Sequence, residues 1–240
     1  MSSRLRFAIV TALTILAATA TFSLGRWQLS RAAEKERLQQ QMESRRALPE
    51  IQAGDLLAAT DPEPLLERRV SLRGRWLADR TVYLDNRQMN GRVGFFVLTP
   101  LALEPGGQVV LVQRGWAARD FQDRSRLPPI STPAGVVEMH GQVVPQPSRT
   151  YALGQSETGA IRQNLDMVAF GSEIGRSLLP ISIRETGPSS DGLVRDWPDI
   201  AAGVEKHHGY AFQWFGLCAL VVLLYVWFQI VRRFIQVRAS

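Results

Sequence analysis

Cysteine and histidine are scarce in this chain. Cys218 is the only cysteine, and His140, His207 and His208 are the only histidines among 240 residues. One cysteine excludes an internal disulfide, a CxxC redox pair and a cysteine-based zinc site. The long middle of the chain contains only His140, set in a strand pattern in phase with Val136 and Glu138, and no GxSxG elbow occurs. A Ser/His/Asp hydrolase thus lacks its nucleophile-base pair there. Gly91-x-x-Gly94 has neither the GK[ST] ending nor the following helix of a phosphate-cradling loop. The carboxylates are scattered and form no paired acid-base motif.

Acidic residues are missing from both ends, where Arg4, Arg6, Arg232, Arg233 and Arg238 stand alone. Without those five of the 28 basic residues, 23 remain against 22 acidic ones, so the middle is close to neutral although the formal charge is +6. The basic excess therefore marks two tails on the positive-inside face of a membrane, not a nucleic-acid footprint.

What the sequence has instead is two long apolar runs. From Tyr210 to Val231 no side chain is charged, and Gln213 and Gln229 are the only strongly polar ones. As a helix this run is about 33 Å long, enough to cross the hydrocarbon core of a bilayer. Tyr210 and Trp214 at one end, and Tyr225 and Trp227 at the other, suit the headgroup layers. Phe7 to Leu24 is the other run. Two readings of it are open. Ala18-Thr19-Ala20 suits a signal peptidase, but the apolar stretch exceeds a usual signal core and continues past that point. A retained helix places Trp27 level with Trp214, and pairs Thr14 with Ala18 and Ala17 with Thr21 as small-xxx-small contacts.

Gly25 to Arg46 has no proline and is rich in good helix formers, so the first helix is expected to continue beyond the membrane. Its large apolar residues are few, and most of the charge run is expected to be a solvated face. Pro49 and a loop from Gly54 to Pro64 end it. The period then changes to two. Strands are expected from Arg68, where Val70, Leu72 and Trp76 share a face, and at 81–85, 94–99, 108–113, 135–144 and 178–185. Asn90-Gly91 and Gly106-Gly107 supply turns, Pro100 is read as a strand stop, and 164–175 as a short helix. Trp76, Phe96, Val110 and Val112 are expected in one core, and Arg114-Gly115-Trp116 as a packing device after a strand. Residues 188–203 form a linker. The fold class is a membrane-anchored, mainly-β (α+β) outer domain, an antiparallel sheet or small barrel, between two transmembrane helices. The expected boundaries are 1–6 for a cytoplasmic tail, 7–25 for the first helix, 26–206 for the outer domain, 207–231 for the second helix and 232–240 for a second tail.

His207 and His208 stand just before the second run. One reading is an interfacial polar pair that ends the helix. The other is a ligand site. The positive end of the helix dipole disfavours imidazolium, and a neutral imidazole ligates haem iron. Tyr210, Phe212, Trp214 and Phe215 offer aromatic surface beside it. Neighbouring helix positions diverge by about 100°, so only one of the two rings can face such a site.

Seven blocks in order, over almost the full length, resemble the surfeit-locus (Shy-type) family of cytochrome c oxidase assembly proteins. They are Leu24-Gly25-Arg26-Trp27-Gln28; Arg69-Val70-x-Leu72-x-Gly74-x-Trp76; Leu84-Asp85-Asn86-Arg87; Gly91-x-x-Gly94; Thr99-Pro100-Leu101; Val112-Gln113-Arg114-Gly115-Trp116; and His207-x-Gly209-Tyr210-Ala211-x-Gln213-Trp214-Phe215. Gln113 stands where the family more often has Asn. The resemblance implies a non-enzymatic assembly factor, with two membrane helices and an outer domain, that helps haem a reach subunit I. It implies His207 as a candidate haem a ligand, Tyr210 and Trp214 as its surroundings, and Asn86, Arg87, Gly91, Gly94, Arg114, Gly115 and Trp116 as a structural motif. His208 matches no fixed family position. The implied partners are cytochrome c oxidase subunit I, haem a synthesis or other oxidase assembly proteins, and the lipid bilayer, with no nucleic acid. The alternative is a membrane scaffold that stabilises an assembly intermediate without touching haem. No amphipathic, Arg-rich presequence precedes the first helix, which points to a bacterial inner membrane, both termini cytoplasmic and the main domain periplasmic.

Overall fold

The computed structural model describes residues 2–120, 122–123, 126–147, 158–197, 203–232 and 235. Arg233, Arg238 and most of the tail expected at 232–240 lie outside the described residues, as do 198–202 of the expected linker. The chain divides into two compact units, Met1–Gln41 with Asp199–Ser240, and Met42–Pro198.

In the first unit, α1 (Ser3–Arg46) is one unbroken helix that passes from the apolar run into the charged one, as its propensities require. The second helix, α4 (Val204–Tyr225), continues as a π-helical turn, Val226–Val231. Both are long and apolar enough to cross a membrane. They pack through a 3-4 repeat of small and polar residues. On α1 the covered positions include Thr11, Thr14, Ala18, Thr21, Gly25, Gln28, Ala32, Lys35 and Gln39, with Ala17 and Ala33 beside them; on α4 they include Val204, His207, Ala211, Trp214, Cys218, Val221 and Tyr225, with Phe215 beside them. That spacing is the seam of a coiled coil. A side chain at Gly25 would push Phe215 aside, because a Cβ there would lie 2.7 Å from its ring. Thr11 Oγ1 meets the Tyr225 hydroxyl at 2.8 Å and Cys218 Sγ donates to the Ala18 carbonyl at 3.4 Å. Of the expected small-residue positions Thr14, Ala18, Ala17 and Thr21, Ala18 meets α4 through Cys218, and the hydroxyls of Thr14 and Thr21 bond within α1. Trp27 is not level with Trp214. Phe215 meets Phe22 and His207 meets Gln28, which sets Trp27 more than a turn away from Trp214 along the pair.

The second unit is built on β1 (Ile51–Gln52), β2 (Arg69–Trp76), β3 (Val82–Met89), β4 (Arg92–Leu103), β5 (Val109–Ala118), β6 (Val136–Val144), β7 (Ile161–Arg162) and β8 (Leu178–Glu185). Two short helices accompany them, α2 (Ala53–Ala58) and α3 (Met167–Glu173). The stretch expected as the loop Gly54 to Pro64 thus holds α2 and the start of a 3-10 turn, Glu63–Leu65. Strand β2 pairs with both β6 and β4, and the order β2-β6-β8-β5-β4 returns to β2. This closes a five-stranded barrel, the smaller of the two sheet architectures expected. The sheet is mixed, since β5 runs parallel to β8, β1 to β2 and β3 to β7.

Alternation fills the barrel, each strand sending residues two apart inward: Val70 and Leu72, Leu101 and Leu103, Val110 and Val112, Ile181 and Ile183, with Met139 and Val143 from β6. Trp76 packs at the edge of this core, as expected, but Phe96 does not join it. Leu101 and Leu103 occupy odd positions of β4, and Phe96 faces the opposite side, with Val82, Leu84, Leu98 and the α3 residue Phe170. Pro100 does not stop β4. Pairing to β3 ends at Leu98 and pairing to β2 begins at Leu101, so the missing N–H of Pro100 falls between the two. Strand β5 likewise runs on through Trp116. Val97 pairs with Gly115 but Leu98 with Gln113, which makes Arg114 the extra residue of a β-bulge.

Candidate functional site

Two groups of residues stand out, one in each unit. The motif residues Asn86, Arg87, Gly91, Gly94, Arg114, Gly115 and Trp116 lie on β3, β4, β5 and the β3–β4 turn, with Arg87 and Gly94 against the Trp116 ring. Asn86 adopts φ 57° at the bulge of β3, and Asn90-Gly91 (φ 51° and 73°) makes the two-residue turn into β4. Trp116 is 4% exposed and its indole Nε1 donates to the Arg87 carbonyl at 2.9 Å. A Cβ on Gly94 would lie 2.6 Å from the same ring and 2.1 Å from the Ala117 carbonyl oxygen, so only glycine fits. Gly115 plays the same part beneath Leu193 and Val194, and Trp116 and Val194 exchange backbone hydrogen bonds of 2.7 and 2.8 Å.

The bulge at Arg114 turns its side chain into the protein, where it is 2% exposed. Its guanidinium donates to Asp191 at 2.9 Å, to the Ser131 carbonyl at 2.9 Å and to Thr132 at 2.7 Å, and stacks 4.9 Å from the Trp76 ring. Arg195 bonds both Asp191 and Glu185. Burial pushes the Glu185 carboxyl above the ordinary range; Arg195 pulls it down, the charge of Asp191 raises it, and Arg114 lowers it again. The Trp197 indole donates to the Glu185 carbonyl while its ring packs against Phe96 at a tilt of 59°. These contacts stitch the segment 188–197 onto the barrel. Sequence reading gave that segment as a linker and missed Asp191, Arg195 and Trp197, whose only signal was two charges and a tryptophan inside a Pro/Gly-rich stretch. None of these groups forms a nucleophile-base pair.

His140 lies exposed on the outer face of β6, with Nδ1 3.1 Å from Glu50, the ordinary role expected of it.

The second group is at the start of α4. Gly203, at φ 100°, precedes the helix, and His207 follows in its first turn, half-buried in the seam. Its Nδ1 lies 2.7 Å from Gln28 Oε1. With the Gln28 amide oxygen facing the ring, Nδ1 is the donor, and in the neutral form of the ring the lone pair then falls on Nε2. Among the described residues, Nε2 of His207 has no hydrogen-bond partner. His208 is exposed on the flank of the seam, with Nε2 3.1 Å from Glu36 Oε1. The two rings thus engage α1 through different nitrogens, Nδ1 in His207 and Nε2 in His208. Both rings bond α1, at Gln28 and Glu36.

Of the aromatic residues expected beside the histidines, Phe212 is 80% exposed and Tyr210 51%, while Trp214 and Phe215 are half-buried in the helix pair. Tyr210 and Trp214 stand three and seven positions after His207, on its side of the helix. The donor set fits a haem held through one imidazole beside aromatic side chains.

The SURF1 family model matches residues 15–219. A SURF1-like protein of Rickettsia felis is 27% identical over 218 residues, covering 87% of this chain and 91% of the relative. Another, from Rickettsia bellii, is 28% identical over 212 residues, covering 84% and 83%. The cytochrome oxidase assembly protein SHY1 of Saccharomyces cerevisiae is 29% identical over 100 residues, 42% of this chain and 26% of that protein.

Proposed function

The chain belongs to the SURF1 family, and on that premise we propose that it carries haem a toward subunit I of a cytochrome c oxidase during assembly. The family consists of oxidase assembly factors, not enzymes. Haem a is cargo in this reading, and His207 holds its iron through Nε2 with Tyr210 and Trp214 at its edge. The observation that carries the reading is the Gln28 contact. It leaves one imidazole in the ligating tautomer at the start of a helix apolar enough to cross a membrane. The proposed setting is a bacterial inner membrane, with both termini cytoplasmic and the barrel periplasmic. The contacts of Thr11 and Ala18 with α4 favour a first helix that stays in the mature protein.

The scaffold reading has its own support, because both histidines bond α1 and so also tie the two helices together. The visible spectrum of the protein purified from cells making haem a separates the two. A haem a spectrum in proportion to protein supports the carrier; its absence leaves the scaffold.

A further inference from the structure

We infer that Gln28 is the positioning residue for His207, fixing the tautomer and the rotation of its ring so that Nε2 is presented as the ligating atom. The inference rests on the carrier reading. Gln28 and His207 face each other at seam positions of two helices, and the surrounding seam residues Gly25, Ala32 and Ala211 are small and buried. Small residues bring the backbones close and hold the two side chains in register, which a loop residue could not do as well. With Oε1 of Gln28 turned to the ring at 2.7 Å, Nδ1 is the donor of this hydrogen bond. Metal-binding histidines commonly donate their other nitrogen to an acceptor of this kind, which orients the ring and raises its basicity. In the opposite amide orientation Gln28 would donate to Nδ1, Nε2 would carry the proton, and the neutral ring could not ligate through it. The two orientations make opposite demands on the side chain at position 28.

The test uses the full-length protein purified in detergent from cells making haem a, with Gln28→Leu, Gln28→Glu and His207→Ala beside the wild type. Haem a affinity is measured by titration, and the iron–histidine stretch of the ferrous protein by resonance Raman spectroscopy. Gln28→Leu is expected to weaken haem a binding roughly 10–100-fold. Gln28→Glu, which can only accept, is expected to keep the haem and move the stretch to higher frequency. A structural role alone does not move that frequency. Haem binding by Gln28→Leu equal to wild type, with an unchanged stretch, overturns the inference and leaves the carrier reading standing. Loss of haem in Gln28→Glu at normal protein level also overturns it, because the amide would then be acting as a donor. Should Gln28→Leu fail to accumulate, the Gln28→Glu spectrum decides alone. No haem on the wild type defeats the carrier reading, and this inference with it.

Discussion

Replacing Trp116 by alanine tests the second unit where β3, β4 and β5 meet on one buried ring. The indole is 4% exposed, fills the space above Gly94, and donates to the Arg87 carbonyl at 2.9 Å. Truncating a buried tryptophan costs about 3–5 kcal/mol through lost contacts and the cavity left behind. For a unit of this size each kcal/mol lowers the melting temperature by about 2–4 °C, so Trp116→Ala should lower it by roughly 6–20 °C. Trp116→Phe keeps an aromatic ring and removes the N–H, and should lose less than the alanine variant. The loss of that one hydrogen bond costs on the order of 1 kcal/mol. The assay is thermal unfolding of full-length protein in detergent, with the amount of protein in the membrane measured in parallel. A variant that melts with the wild type and accumulates normally would refute the packing argument. Normal stability with lost oxidase assembly would make Trp116 a residue that partners touch.

The helix pair can be probed at Gly25, where a Cβ would already lie 2.7 Å from the Phe215 ring. Gly25→Leu should separate the helices locally, lowering crosslinking between cysteines introduced at Gln28 and His207 while leaving barrel melting unchanged; unchanged crosslinking would contradict the seam. The folded-state pKa of Glu185 is raised by burial, so the folded protein binds a proton there more readily than the unfolded chain. Its contribution is therefore present below the ordinary carboxylate pKa and lost as pH rises through the raised folded value. Glu185→Gln should flatten melting temperature against pH over that interval, and an unaltered profile would show that Glu185 titrates normally.

The barrel was largely legible because its strands obey simple alternation between turns that only glycine and asparagine favour. The pairs Val70/Leu72, Val110/Val112 and Ile181/Ile183 announce an inward face within a single strand. Two misreadings, of Pro100 as a stop and of β5 as ending before Arg114, share one cause. Each strand changes its surroundings partway along, β4 by changing partner and β5 by a bulge, and local pattern does not reveal either change. Phe96 was misplaced because the inward positions of β4 had to be counted from Leu101, across the supposed stop. The seam of α1 was missed for another reason. Counting large apolar residues found too few, yet Gly25, Gln28, Ala32, Lys35 and Gln39 carry a 3-4 repeat in small and polar residues. Closely packed helices use small side chains, so the signal lay in spacing instead of hydropathy. His207 was recognisable from its place before an apolar run; its partner Gln28 lies 179 positions away and was legible only once the helices were paired.

The most direct test of haem a carriage is the visible spectrum of His207→Ala and His208→Ala, each purified from cells making haem a and compared at equal protein. The structure engages Nδ1 of His207 with Gln28 and ties Nε2 of His208 to Glu36. The account predicts that His207→Ala loses the haem a spectrum with protein level and membrane insertion unchanged, while His208→Ala keeps most of it. Retention of haem a by His207→Ala, or equal loss from both variants, would contradict it.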